Sequence, residues 1–243
     1  MDARGIRRSR SEEEEESYFI SMADMMVGLV FVFVILLLYF ALQFQQKSQA
    51  ISNAGETRAQ LLRDLRDDLA KHNLRVEIDT ASGVLRIPAE LLFASGQYQL
   101  SDEGLEKVAL VAQVMGDVLP CYSQPRREEG CRPTEHSLDA IFIEGHTDSD
   151  QMSGYGPISD NMDLSALRAT NTFRAMRQAA PMLEYLENRN GSPILSVSGY
   201  GADRPVAEGN TDDAKRQNRR IDLRFLMESP RNEDLATMLT SGT

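Results

Sequence analysis

Residues 138–148 read LDAIFIEGHTD. Leu138 to Glu144 is an apolar run of strand length, and it opens directly into Gly145-His146-Thr147-Asp148. Polar groups at the end of a strand sit where α/β sheets form their ligand crevices. Downstream, a polar loop from Ser149 to Met162 leads into a helix predicted over Asp163–Ala180 and stopped by Pro181. A short helix over Met182–Asn188, a strand over Ile194–Tyr200, a loop over Gly201–Ala214 and a last strand over Ile221–Met227 follow. Strand and helix patterns alternate, so the fold class is α/β, with helices packed on a sheet.

Upstream of residue 138, the stretch Arg75–Asp79, Ala81-Ser82-Gly83, Val84–Ile87 reads as a hairpin ended by Pro88. The run Leu91–Tyr98 turns at Gly96, and Ser101 with Glu103 and Gly104 opens a helix reaching to about Leu119, with Pro120 as its stop. Cys121 and Cys131 follow, with nine residues between them, in a Pro- and Arg-rich loop. They are the two cysteines of the chain, and a disulfide is expected, within one chain or between two copies. A metal pair needs further ligands, and His136 is the one nearby candidate, so no metal is expected there.

Before the domain, residues 46–72 carry Ile51, Ala54, Leu61, Leu65 and Leu69 at helical spacing, interrupted by Asn53 and Gly55. This amphipathic helical linker could pair with a second copy or lie on its own domain. Residues 18–45 are different. From Met25 to Leu42 run 18 consecutive uncharged and nearly all apolar residues, enough to cross a bilayer as a helix. Asp24 stands about one turn inside that segment, where a carboxylate costs roughly 2.5–3.5 kcal/mol if it lies deep. Ser21 is better placed as a cap, so Asp24 reads as functional rather than as a snorkelling N-cap.

Arg4, Arg7, Arg8 and Arg10 precede the span, against Lys47 and Arg58 after it. This bias keeps the N-terminus in the cytoplasm and exports the C-terminal part, an uncleaved signal-anchor in an inner membrane. Residues 1–17 are expected to be a disordered charged tail, residues 73–227 the folded domain and residues 228–243 a loose tail. The formal charge is −11, of which Glu12–Glu16 supply five, and no basic patch with interleaved aromatics suggests nucleic acid as a partner.

Three polar clusters carry the chemistry: Gly145–Asp148, the helix start Asp163–Ala169, and Asn218-Arg219-Arg220. Asp148 suits an ammonium and Arg168 a carboxylate, which together describe a zwitterion. The same two residues could equally form a structural salt bridge. A metallohydrolase built on His146, Asp148 and Asp150 lacks a ligand set among three histidines. The spacing Asp148, Asp150, Ser153 lacks the closing glutamate of an EF-hand loop. Neither an enzyme nor a cofactor is expected.

In order along the chain, GHTD, LSxxRA (Leu164–Ala169), GYGxxxPV (Gly199–Val206) and NRRI (Asn218–Ile221) resemble the OmpA-like peptidoglycan-binding domain. The resemblance implies helices on a mixed β-sheet and a grip on the diaminopimelate of the peptide stem by Asp148 and Arg168, with Asn161, Leu164 and Arg219 lining or supporting the pocket. The loop between Asp148 and Leu164 is longer than in that family, and the cysteine insertion is a second departure. The span with Ser21-Met22-Ala23-Asp24-Met25-Met26 ahead of such a domain resembles MotB-type stator subunits. That resemblance implies a homodimer within a ring of a multi-span MotA-like subunit, with Asp24 taking up and releasing the transported ion. The span holds no second acid, which favours H⁺ over Na⁺. The charged head and short linker look most like the B subunit of Zorya anti-phage defence. A flagellar-type stator and a passive wall tether are the alternatives.

Overall fold

The computed structural model describes residues 3–127, 129–132, 134, 136–152, 154 and 156–229, and for residues 3–17 the backbone only. The described residues divide into two compact units, one ending at Ile51, the other Ser52–Ser229.

In the first unit the backbone is helical from Ala3, as the start of a helix α1 that is continuous over Ala3–Lys71. The disorder expected over residues 1–17 is therefore corrected: Arg and Glu are good helix formers, and extending an existing helix needs no new nucleus. Tyr18 onward satisfies the length and hydropathy of a membrane span, with a mean hydropathy of 2.9 over its most apolar window and no residue of that window buried. Met25, Leu29 and Phe31 are each at least 66% exposed, an apolar surface that requires lipid or a partner.

The second unit starts about twenty residues earlier than the domain expected from Asn73. Its core includes Leu61, Leu62, Leu65 and Leu69 from the end of α1, each at most 1% exposed. The leucines of the linker lie on their own domain in this chain. Beyond α1 the elements are β1 (Glu77–Asp79), β2 (Val84–Pro88), α2 (Asp102–Val118), β3 (Leu138–His146), α3 (Asn161–Ala179), β4 (Leu195–Gly199), α4 (Asp212–Asn218) and β5 (Arg220–Met227). The sheet order is β1-β2-β5-β3-β4, with β3 and β4 parallel and the other pairs antiparallel, so the sheet is mixed.

Strand alternation sorts two faces. Leu85, Ile87, Ile141, Ile143, Ile221, Leu223 and Phe225 are at most 1% exposed and belong to the core with residues of α2 and α3. The alternate residues Arg86, Glu144, His146, Arg220, Asp222 and Arg224 share the other face, where the register sets Asp222 opposite both Arg86 and Glu144.

Caps fix the helices. Ser101 Oγ accepts from Gly104 N at 3.0 Å to start α2. Asp160 accepts from Met162 N and Asp163 N, which starts α3 two residues before the predicted Asp163. Residues 212–218, which begin inside the expected loop, form a helix because Thr211 caps Ala214 N and two aspartates occupy the first turn. The expected helix at 182–188 is a 3₁₀ turn over Pro181–Tyr185. Cys121 and Cys131 are joined within the chain, which closes the insertion loop on itself.

Candidate functional site

The glycine of GHTD decides how close α3 comes to the strand. A Cβ at Gly145 would stand 2.0 Å from Ser165 O, and one at Gly199 would stand 2.6 Å from Ala166 N. These two glycines let the first turns of α3 press on the ends of β3 and β4. The junction is then stitched: Tyr200 N donates to Gly145 O at 3.0 Å, Thr147 N to Gly201 O at 2.9 Å, and Gly201 N to Ser165 Oγ at 2.9 Å. Asp148 leaves the end of β3, and Leu164 and Arg168 leave α3 one turn apart on one face. Arg219 stands at the C-terminus of α4, just before β5, where its carbonyl accepts from Ala89 N at 3.0 Å.

All five residues named from the sequence, Asp148, Asn161, Leu164, Arg168 and Arg219, line one cleft of about 470 Å³. Arg219 Nη1 pairs with Asp148 Oδ2 at 2.5 Å. Asn161 Nδ2 donates to the carbonyls of Asp148 and Asp150, at 3.2 and 2.9 Å, which pins the turn that carries Asp148. Asp150 N donates to Asp148 Oδ1 at 3.2 Å, and Asp150 itself pairs with Lys215 at 2.7 Å.

Arg168 is only 4% exposed. Its Nε donates to Gln97 O at 2.8 Å, and its guanidinium lies 5.1 Å from the centre of the Phe93 ring. Among the described residues no carboxylate lies within ion-pair distance of it. Burial pushes the guanidinium down to about 10, the charge of Arg219 adds to that, and Asp148 opposes it. Arg168 is still a cation at neutral pH, and an anion arriving in the cleft would relieve its burial. Phe93 and Gln97, which hold Arg168, were not legible as site residues, because they lie more than seventy positions upstream with no motif of their own. A larger groove lies between residues 53–60 of α1 and the cysteine loop, lined by Thr57, Gln60, Arg126 and Arg132 but by none of the motif residues.

His146 belongs to the sheet rather than to the cleft. It is 1% exposed, stacks on Tyr200 at 5.4 Å, and its Nε2 stands 3.9 Å from Glu144 and 3.7 Å from Asp222. Glu144, His146 and Asp222 together could span a metal ion by distance alone. Arginines already hold both acids: Arg224 grips Glu144 with two bonds of 2.8 Å, and Asp222 accepts from Arg220 at 2.9 Å and Arg86 at 3.2 Å. Three guanidiniums against two carboxylates leave no negative charge for a divalent cation.

Burial of Glu144 favours its neutral form, yet the neighbouring His146 ring and the two bonds from Arg224 outweigh that and bring it from 4.5 down to about 2. The stabilisation is complete above about pH 4.5 and is lost as pH falls toward about 2. Stability of the wild-type chain against denaturant should therefore fall between about pH 4.5 and about pH 2, and Glu144→Gln should flatten that slope.

Residues 132–219, from the cysteine loop to the step into β5, match the model of the OmpA family. The chain is similar to the Zorya protein ZorB of Escherichia coli O139:H28, with 24% identity over 229 residues, covering 92% of this chain and 86% of that one. It is also similar to Motility protein B of Bacillus subtilis, with 22% identity over 169 residues, covering 70% of this chain and 54% of that one. The fold is that of the crystal structure of a MotB-like protein from Desulfovibrio vulgaris, at a TM-score of 0.52 and 24% identity over 74% of this chain and 95% of that one.

Proposed function

We propose that the chain is a wall-anchored stator subunit of the B type in an ion-driven inner-membrane motor, and that the motor serves anti-phage defence. The observation that carries the reading is Arg168, a buried guanidinium with no carboxylate within ion-pair distance among the described residues, facing a cleft that also holds Asp148. That pair suits a group bearing both a carboxylate and an ammonium, which the free end of diaminopimelate in a peptidoglycan stem provides. Similarity over most of the chain to ZorB and over part of it to Motility protein B supports the stator role. The exposed apolar helix from Tyr18, with Asp24 near its start, supports a single span working against a multi-span partner.

In this reading the N-terminus is cytoplasmic and the domain periplasmic. Two copies sit inside a ring of the partner, Asp24 carries protons, and the wall grip keeps the spans still while the ring turns. The full chain in detergent should pellet with purified sacculi and stay in the supernatant once the sacculi are digested with a muramidase. A chain that remains in the supernatant with intact sacculi would remove wall anchoring from the account.

A further inference from the structure

We propose that Arg219 is a built-in occupant of the ammonium position, and that it makes the cleft respond only to a ligand carrying an ammonium and a carboxylate together. The inference rests on the wall-binding reading and adds a residue that sets its selectivity.

Asp148 is the acid expected to take the ligand's amine, yet its Oδ2 is already held by Arg219 Nη1 at 2.5 Å. The Asp148 side chain is 12% exposed and that of Arg219 is 37% exposed, so the acid is fixed and the arginine has room to swing. The turn behind Asp148 is clamped by Asn161, which leaves Arg219 as the partner that can move. Asp150 is no substitute acid, because Lys215 holds it at 2.7 Å. Glu90 also lines the cleft, but it is exposed, where an ion pair is worth little.

Arg168, Arg219 and Asp148 together carry one positive charge in excess. A ligand with an amine alone must displace a guanidinium already in place and adds a further cation beside Arg168. A ligand with a carboxylate alone meets two guanidiniums but gains nothing from Asp148. A ligand with both groups draws Arg219 from Asp148 to its own carboxylate, beside Arg168, and Asp148 then accepts the ammonium. The two contacts form as one exchange, so loss of either group on the ligand forfeits both.

The test uses the full chain in detergent and three ligands of matched length: meso-diaminopimelate, cadaverine (amines only) and pimelate (carboxylates only). By calorimetric titration the wild-type chain should bind diaminopimelate and bind the other two at least about a hundredfold more weakly. In Arg219→Gln the preference for diaminopimelate over cadaverine should fall by about tenfold or more, because the amine no longer meets a competitor. Arg219→Lys, with a smaller and differently shaped cation, should give an intermediate ratio. A ratio unchanged in both variants, with all affinities falling in parallel, would make Arg219 a plain contact and overturn the inference. Wild-type chain that binds cadaverine as well as diaminopimelate overturns it while leaving wall binding intact. Wild-type chain that binds none of the three overturns the inference and the wall-binding reading together.

Discussion

Asp24→Asn is expected to abolish the cell-level function of the full chain while leaving its binding to sacculi unchanged. Asparagine keeps the shape and polarity of the side chain, so helix α1 and its neighbours have no steric reason to change. What it removes is the ability to alternate between a neutral and a charged form. A change of charge at an apolar interface changes which arrangement of partners is preferred. The membrane potential supplies about 2.3 kcal/mol per charge per 100 mV to drive such a cycle, and a side chain that carries no charge extracts none of it. Function that persists in Asp24→Asn would leave a passive wall tether as the role of the chain. Loss of function together with loss of sacculus binding would point to misassembly, which the sedimentation arm detects.

Arg168→Ala carries the second large effect. Removing one partner of a desolvated, hydrogen-bonded charge pair costs roughly 2–5 kcal/mol, so affinity for sacculi should fall by about a hundredfold or more. Arg168→Lys keeps the charge but loses the planar fork, and should recover only part of the binding. The guanidinium also holds Gln97 O and lies over Phe93, so the alanine variant should be checked for an intact fold by thermal unfolding. Asp148→Ala should lose sacculus binding as well, since the amine then has no acceptor. Retained binding in both single variants would mean that the cleft is not the wall contact.

The positions of Asp148, Arg168 and Arg219 were legible in the chain because short motifs tie each to the end of an element: a strand end, the first turns of a helix, and the step into the last strand. Ser101 as a cap was legible for the same local reason. What a linear reading could not settle were choices between partners. Leu61, Leu65 and Leu69 recur at a spacing that fits a second helix or the chain's own core equally well, and tertiary packing decides for the core. The β1-β2-β5-β3-β4 order is likewise a matter of long-range pairing. At the site, Asp148 and Arg168 read equally well as a grip on a zwitterion or as a salt bridge with each other; the ion pair that forms is Asp148–Arg219, and Arg168 is left facing the cleft. The short helix at Asp212–Asn218 escaped because it lies in a polar stretch without an apolar stripe. Thr211 and the two aspartates after it were the available signal.

If recognition of a zwitterion in this cleft holds the chain to the wall, a free zwitterion must compete with the wall for it. Full chain bound to purified sacculi is pelleted in the presence of rising free meso-diaminopimelate, with pimelate as the control at equal ionic strength. Diaminopimelate is expected to release the chain into the supernatant, and pimelate is expected not to. Chain that stays on the sacculi at saturating diaminopimelate, or that pimelate releases equally well, would contradict that recognition.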